Sequence, residues 1–495
     1  MTPGRIVGRA LRPISLLAAL VALSGCGDND RYPAELSYSV RTDFLLRSIP
    51  KLQPTGFNTP GHMPLDFLAT MPRRFDPDAK IRVIDLPKID QQVSNQSLKL
   101  SENQKALLEE YKANNIVDPR NLTASERKKL GEMLTKLFGT PSNPIVKIKG
   151  EGGDDMGIPA EMSSRLRLDK DTLAEGSRLY RRNCLHCHGL EGNGRGPTGF
   201  WVNPHPRDYR QGIFKFTSST QDLGERKPRR DDLLHVMSHG IEGTSMPSFN
   251  MYPREDLEKM ASYVIHLSMR GEIEFYVIDQ WFQKSKLVDP PTAEEIQALR
   301  TSMTEDKKSA ADIDKATNDL KAVKAPTAEE EKTALAGMDA MFVEALEGFA
   351  PRWLAAQDSV ITPDPYPYED NEEALLTSAA RGATLFNTGT ASCVSCHKNY
   401  GREAPYYFDA WGTIVRPRNL TDGYYRGGRR PIDMYYRVWS GISGAGMASY
   451  DKELRPNDED RAGRVDKIWD LVNFMQVLHY PDMRAKLKQR GVVVD

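Results

Sequence analysis

Four of the five cysteines in this 495-residue chain fall into two pairs with the same neighbour. Cys184-Leu185-His186-Cys187-His188 and Cys393-Val394-Ser395-Cys396-His397 both read Cys-x-x-Cys-His. In this pattern two thiols form thioethers with the vinyl groups of a haem, and the histidine that follows ligates iron. The expectation is two covalently attached haem c groups, one for each pair. A zinc site or a thioredoxin-like redox pair also uses paired cysteines, but neither accounts for a histidine directly after both pairs.

An iron held by one histidine has an open face, and what fills it separates an electron carrier from an enzyme. An internal repeat points to the sixth ligand. Residues 229–249 align without a gap on residues 430–450 at a constant offset of 201, with seven identical pairs. One of these pairs is Met246 with Met447, 58 residues past His188 and 50 past His397. Rival ligands fail the register: Met251 faces Lys452, Met237 faces Val438, His235 faces Tyr436 and His239 faces Ser440. The expected metal ligands are therefore His188 with Met246 and His397 with Met447.

Elements that could position these groups flank both motifs. Gly176 and Tyr180 lie on one helical face before the first motif, and Gly382 and Phe386 repeat that spacing before the second. After the methionines, Leu257 to Leu267 and Ile468 to Leu478 carry apolar residues at helical spacing. Together these features resemble the class I cytochrome c fold. The resemblance implies that first and last helices cross at the glycine, pairing Gly176 with Tyr263 and Gly382 with Phe474. It also implies a proline carbonyl that accepts the ligand histidine's other N–H, Pro197 for His188 and Pro405 for His397. The Gly-rich loop Gly189 to Pro197 suits close approach to a porphyrin, whereas Lys398 to Pro405 lacks most of those glycines.

The expected fold is mainly α, with two class I cytochrome c-like helical domains at 166–272 and 371–495. A helical spacer at 273–370 separates them, and 27–165 reads as a partly helical N-terminal spacer and docking region. Its one histidine, His62, is an ordinary polar residue in this reading. Thr123-Ala124-Ser125-Glu126, Thr292-Ala293-Glu294-Glu295 and Thr327-Ala328-Glu329-Glu330 are capping boxes that open helices. The clusters Arg226-Lys227-Pro228-Arg229-Arg230 and Arg426-Gly427-Gly428-Arg429-Arg430 would neutralise haem propionates, form a docking face for an acidic partner, or remain solvated.

Residues 1–26 read as a targeting segment: basic Arg5, Arg9 and Arg12, then apolar Ile14 to Leu23, then Leu23-Ser24-Gly25-Cys26. The last four resemble a bacterial lipobox, which implies lipidation of Cys26 and a tether to a membrane. The protein is expected to be exported and lipid-anchored on the periplasmic side of a bacterial membrane. With a net charge of -1, composition provides no global basic field for nucleic acid.

The leading reading is an electron carrier, not an enzyme. The two-haem resemblance implies redox partners: a quinol-oxidising complex, a terminal oxidase or a periplasmic dehydrogenase. The alternative is a diheme peroxidase-like enzyme with one open haem, against which the duplicated methionine speaks. A haem-based sensor would need an output domain that is not evident, and Cys26 leaves no spare thiol to ligate a sulfur-oxidising haem.

Overall fold

The computed structural model describes residues 36–51, 105, 109–110, 113, 115–220, 226–284, 287, 290–305, 307–322, 324–366, 368, 371–388, 391–454 and 466–494. The targeting segment with Cys26, and His62, lie outside the described residues.

The chain is mainly helical, and its helices start where the capping residues stand. Helix α1 (Ala124–Phe138) opens on the Thr123 capping box, in which the Glu126 N–H donates to Thr123 Oγ1 at 3.2 Å and the Thr123 N–H to Glu126 Oε2 at 2.7 Å. Gly139, at φ 68°, stops it. Asp169 caps α2 (Lys170–Asn183), which leads into the first cysteine pair. Helices α3 (Arg230–His239) and α4 (Arg254–Lys284) follow. Two shorter helices, Ala293–Glu305 and Ala310–Lys321, pack on one another and stay largely exposed. The Thr327 box then opens α5 (Ala328–Asp358). The remainder holds α6 (Glu372–Asn387), α7 (Pro431–Ser440) and α8 (Lys467–Val477). Strands among the described residues are two-residue antiparallel pairs: β1 (Leu45–Leu46) with β2 (Ile116–Val117), β3 (Gly139–Thr140) with β4 (Asn143–Pro144), and β5 (Tyr407–Phe408) with β6 (Ile414–Val415).

Two hydrophobic cores result, each containing one cysteine motif. The first gathers Leu134 and Phe138 of α1, Tyr180 of α2, Tyr263 and Ile273 of α4, and Phe342 and Trp353 of α5. The second gathers Leu376 and Phe386 of α6, Tyr435 of α7, and Trp469 and Phe474 of α8.

This arrangement corrects two sequence expectations. The described part of 27–165 is not a spacer, because Leu130, Leu134, Leu137 and Phe138 are core residues. Nor is 273–370 solvated throughout. Helix α4 continues past residue 272 to Lys284, and α5 buries Met338, Phe342, Leu346, Trp353 and Ala356 against it. The stripe has helical spacing, but the many glutamates on the opposite face of α5 hide it. Helix α4 accepts packing from several directions: every residue from Met260 to Glu274 is buried.

His266 ties α1 to α4, its Nε2–H shared between the carbonyls of Phe138 at 2.9 Å and Ile145 at 3.0 Å. Burial pushes this imidazole down to about 4, so it is neutral in the folded protein. Between pH 4 and the ordinary value near 6.5 the unfolded chain binds more protons than the folded one, and stability falls as pH falls through that window. The contribution of His266 at pH 5 is expected to be about 2 kcal/mol lower than at pH 7. Urea denaturation of the wild type and His266→Gln at both pH values checks this; an equally steep loss in the variant would place the acid sensitivity elsewhere.

Candidate functional site

Each cysteine motif hangs from a helix crossing set by a glycine. A Cβ on Gly176 would collide with the Lys259 carbonyl oxygen and lie 3.0 Å from Tyr263 Cβ. One on Gly382 would collide with the Asp470 carbonyl oxygen and lie 2.9 Å from Phe474 Cβ. Both expected crossings are therefore present, and only glycine permits them. One turn on, Tyr180 meets the Tyr263 ring at 5.3 Å and Phe386 meets Phe474 at 5.5 Å. The Tyr180 hydroxyl donates to the Gly189 carbonyl at 2.9 Å, which fixes the chain just after His188.

The four motif cysteines form no disulfide. Burial pushes Cys184 up to about 12 and Cys393 up to about 11, so neither is a ready thiolate nucleophile. The pairs join different cores, and no three His, Cys, Asp or Glu side chains cluster as a metal site among the described residues.

The two histidines have the same environment. His188 Nδ1 is 3.1 Å from the Arg207 carbonyl oxygen, and His397 Nδ1 is 3.1 Å from that of Arg418. A carbonyl can only accept, so each Nδ1 carries the proton and each Nε2 presents its lone pair. Burial lowers both, His188 to about 4, which keeps the imidazoles neutral as iron ligands must be. His188 also stacks on Tyr209 at 4.7 Å.

These contacts correct the proline assignment. Pro197 is exposed and Pro405 only partly buried, while the carbonyls that reach the histidines belong to Arg207 and Arg418. The loops run further before returning than the resemblance implied. A signal existed: Pro206-Arg207 and Pro417-Arg418 are identical dipeptides at an offset of 211, followed in the same register by Gly212 and Gly423. A search at offset 201 passes over it.

Past these loops the repeat at offset 201 is structural as well as sequential. Gly240 at φ 68° and Gly441 at φ 69° end α3 and α7. The Ile241 N–H donates to Met246 O at 3.1 Å, and the Ile442 N–H to Met447 O at 3.0 Å. Phe249 N–H reaches Met237 O at 2.8 Å, and Tyr450 N–H reaches Val438 O at 3.2 Å. Ser248 and Ser449 hydroxyls donate to the carbonyls of Ser238 and Trp439. Met246 and Met447 thus occupy equivalent, partly buried places, whereas Met237 is a core residue and Met251 is 94% exposed. Each loop closes toward its cysteine segment: the Tyr252 hydroxyl donates to Asn183 Oδ1 at 2.7 Å, and Tyr450 and Cys393 pack on the same core. Two cysteines, an oriented neutral imidazole and a methionine loop in each core fit a covalently attached haem.

The basic clusters are mostly structural. Arg229 and Arg430 open α3 and α7 through Asp232 and Asp433. Arg230 donates to the Leu166 carbonyl at 2.6 Å. Lys227, fully buried, pairs with Glu272 of α4 and donates to Gly212 O at 3.1 Å, while Trp353 Nε1 of α5 donates to Glu272 at 3.1 Å.

Residues 171–264 match the family described as cytochrome C oxidase, cbb3-type, subunit III. The matched segment holds Cys184, Cys187, His188 and Met246. It is a c-type cytochrome domain, and such a domain implies covalently bound haem c. A search of solved structures found similarity to a chain of the Kuenenia stuttgartiensis reducing HAO-like protein complex, at 18% identity and a TM-score of 0.35, covering 61% of this chain and 95% of that one. A search of curated proteins gave no match.

Because Lys227 and Glu272 neutralise each other inside the first core, Lys227→Met is expected to strand the glutamate and cost about 3–5 kcal/mol. The double variant Lys227→Met/Glu272→Gln should recover part of this, as measured by denaturant unfolding. No difference between wild type and the single variant would show that the pair contributes nothing.

Proposed function

We propose that the chain carries two haem c groups, one in each core, and moves single electrons between redox proteins on the periplasmic side of a bacterial membrane. Cys184 and Cys187 would hold the first group, with His188 and Met246 as its iron ligands. Cys393 and Cys396 would hold the second, with His397 and Met447. The observation that carries the reading is the duplicated site, in which two histidine–carbonyl bonds and two methionine loops match bond for bond.

A haem c held between histidine and methionine supplies one-electron transfer at a comparatively high potential and offers no coordination position to a substrate. The protein's own residues set that environment. Arg207 and Arg418 carbonyls keep each imidazole turned and make it a better donor. The glycine crossings and the burial of Tyr180, Tyr263, Phe386 and Phe474 keep water from the histidine side. In this reading Cys26 is lipidated and tethers the soluble body, and among the described residues no helix is long and apolar enough to cross a membrane. Candidate partners are a quinol-oxidising complex, a terminal oxidase or a periplasmic dehydrogenase. The matched family is an oxidase subunit, which favours the oxidase.

Expression with a competent haem-attachment system should give two covalent haems per chain that survive acid-organic extraction. The reduced protein should not bind carbon monoxide, and Met447→Ala should open one haem alone. One haem per chain would overturn the two-site reading. Carbon monoxide binding by the native protein at one haem would replace the carrier with a diheme peroxidase-like enzyme. Cys26→Ser should move the protein to the soluble periplasmic fraction with both haems in place; retention through washing would exclude the lipid tether.

A further inference from the structure

The two cores meet along a seam rich in cations, and the register at offset 211 explains how they arrive there. Arg207 and Arg418 are equivalent, and so are Lys215 and Arg426, each pair separated by a turn at Gly212 (φ 65°) or Gly423 (φ 73°). The loop that holds each histidine therefore also delivers two positive charges.

Contacts across the seam are reciprocal. Arg418 Nη2 of the second core lies 3.8 Å from a Cβ built on Gly243, in the Met246 loop of the first. Arg207 of the first core stacks 3.5 Å from the Trp411 ring centroid of the second, and Trp411 packs on Gly444 in the Met447 loop. Trp411 Nε1 donates to the Asp208 carbonyl at 3.0 Å, and the Ala410 N–H donates to Gly444 O at 2.8 Å. Each histidine loop thus lies against the methionine loop of the other core, directly or through Trp411.

The charges do not balance. Asp409, fully buried on the β5–β6 hairpin, takes Lys215 at 3.2 Å and Arg207 at 3.7 Å. Asp208 is engaged by Arg210. The charged neighbours of Arg426 are Arg418, Arg207 and Lys215, all cations; its Nε is buried without a partner, and its guanidinium makes no hydrogen bond among the described residues. Burial, Arg207 and Arg426 together push the Lys215 amine down to about 8 against the pull of Asp409. Clustering buried cations around Asp409, with Asp208 beside Arg207 already bonded to Arg210, is unfavourable unless further anions enter.

We propose that this seam is a shared carboxylate site, in which the propionates of both haems are neutralised by Arg207, Lys215, Arg418 and Arg426, so that electrons pass between the haems inside the protein. This rests on the two-haem reading. The transfer moves one electron from a ferrous to a ferric iron and neither makes nor breaks a bond. Trp411 is a positioning residue: it holds Arg207 and Gly444 in place and touches no reacting atom.

The test uses the full-length holoprotein, with covalent haem counted first; a count other than two fails the two-haem reading and leaves the seam aside. With two haems present, flash reduction of the wild type should be followed by redistribution between the haems at a rate independent of protein concentration. A rate proportional to concentration would overturn internal transfer. Spectroelectrochemical titration of Arg426→Gln should show both midpoint potentials lowered, because a cation near either iron favours its reduced state. If only the second potential moves, the site is not shared. If neither moves, the cations serve an acidic partner instead, and the proposal fails. Lys215→Arg, which keeps the charge, should leave both potentials in place. Trp411→Leu should slow the redistribution at least tenfold, and Trp411→Phe should retain most of the rate; unchanged kinetics in Trp411→Leu would remove its positioning role.

Discussion

The contact on which the structure most depends is a helix backbone pressed against a glycine. At Gly176 and again at Gly382, a carbonyl of the closing helix occupies the space where a side chain would stand. Close approach fixes the crossing of α2 with α4 and of α6 with α8, and everything beyond inherits that geometry. The cysteine motif emerges from the end of one helix, and the methionine loop feeds the start of the other. In the second core a polar knot reinforces the crossing: Asp470 of α8 accepts from Ser378 and Arg381 of α6, and Asn473 donates to Ser378 at 2.8 Å. The charged Asp470 is thereby paired and hydrogen-bonded in an otherwise apolar interface, which confers orientation more than stability.

Much of the site was legible because its chemistry demands fixed residue types. Cys-x-x-Cys-His cannot be varied without losing a bond, and the methionine register survived because no insertion falls between Arg229 and Ser248 or between Arg430 and Ser449. Helix starts were legible for the same local reason, since the Thr123 and Thr327 boxes satisfy orphan N–H groups within four residues. The histidine's carbonyl partner was not. Any residue can offer a carbonyl, so the Arg207 and Arg418 roles leave no mark in side-chain identity, only in the repeated Pro-Arg beside them.

The role of the flanking regions was the least visible. An amphipathic reading of α4 finds one apolar face, yet Ser262, His266, Ser268, Arg270, Glu272 and Glu274 are buried with it. Several of their polar groups find partners far away in sequence: His266 Nε2 in the Phe138 and Ile145 carbonyls, Glu274 in the Arg41 N–H, Glu272 in Lys227 and Trp353. A polar residue looks solvent-facing until its partner is known, and Arg41, Phe138, Ile145 and Trp353 lie in the segments that composition alone marks as spacers.

The two halves differ between Lys215 and Arg229, where the first copy has ten more residues than the second has between Arg426 and Arg430. That insertion supplies the clasp. Arg226 donates to the Ser440 carbonyl at 2.5 Å and to Ser449 Oγ at 3.2 Å, Ser440 Oγ reaches the Thr217 carbonyl at 3.3 Å, and Ser219 bridges Val360. Two identical repeats meeting head to tail, through different surfaces of each, would leave one surface of each free to accept another copy by the same contact. An insertion carried by one repeat alone breaks that equivalence, so the clasp itself exists on the first repeat only. Asymmetry thus closes the assembly at a pair, where a perfectly repeated chain could continue as an array.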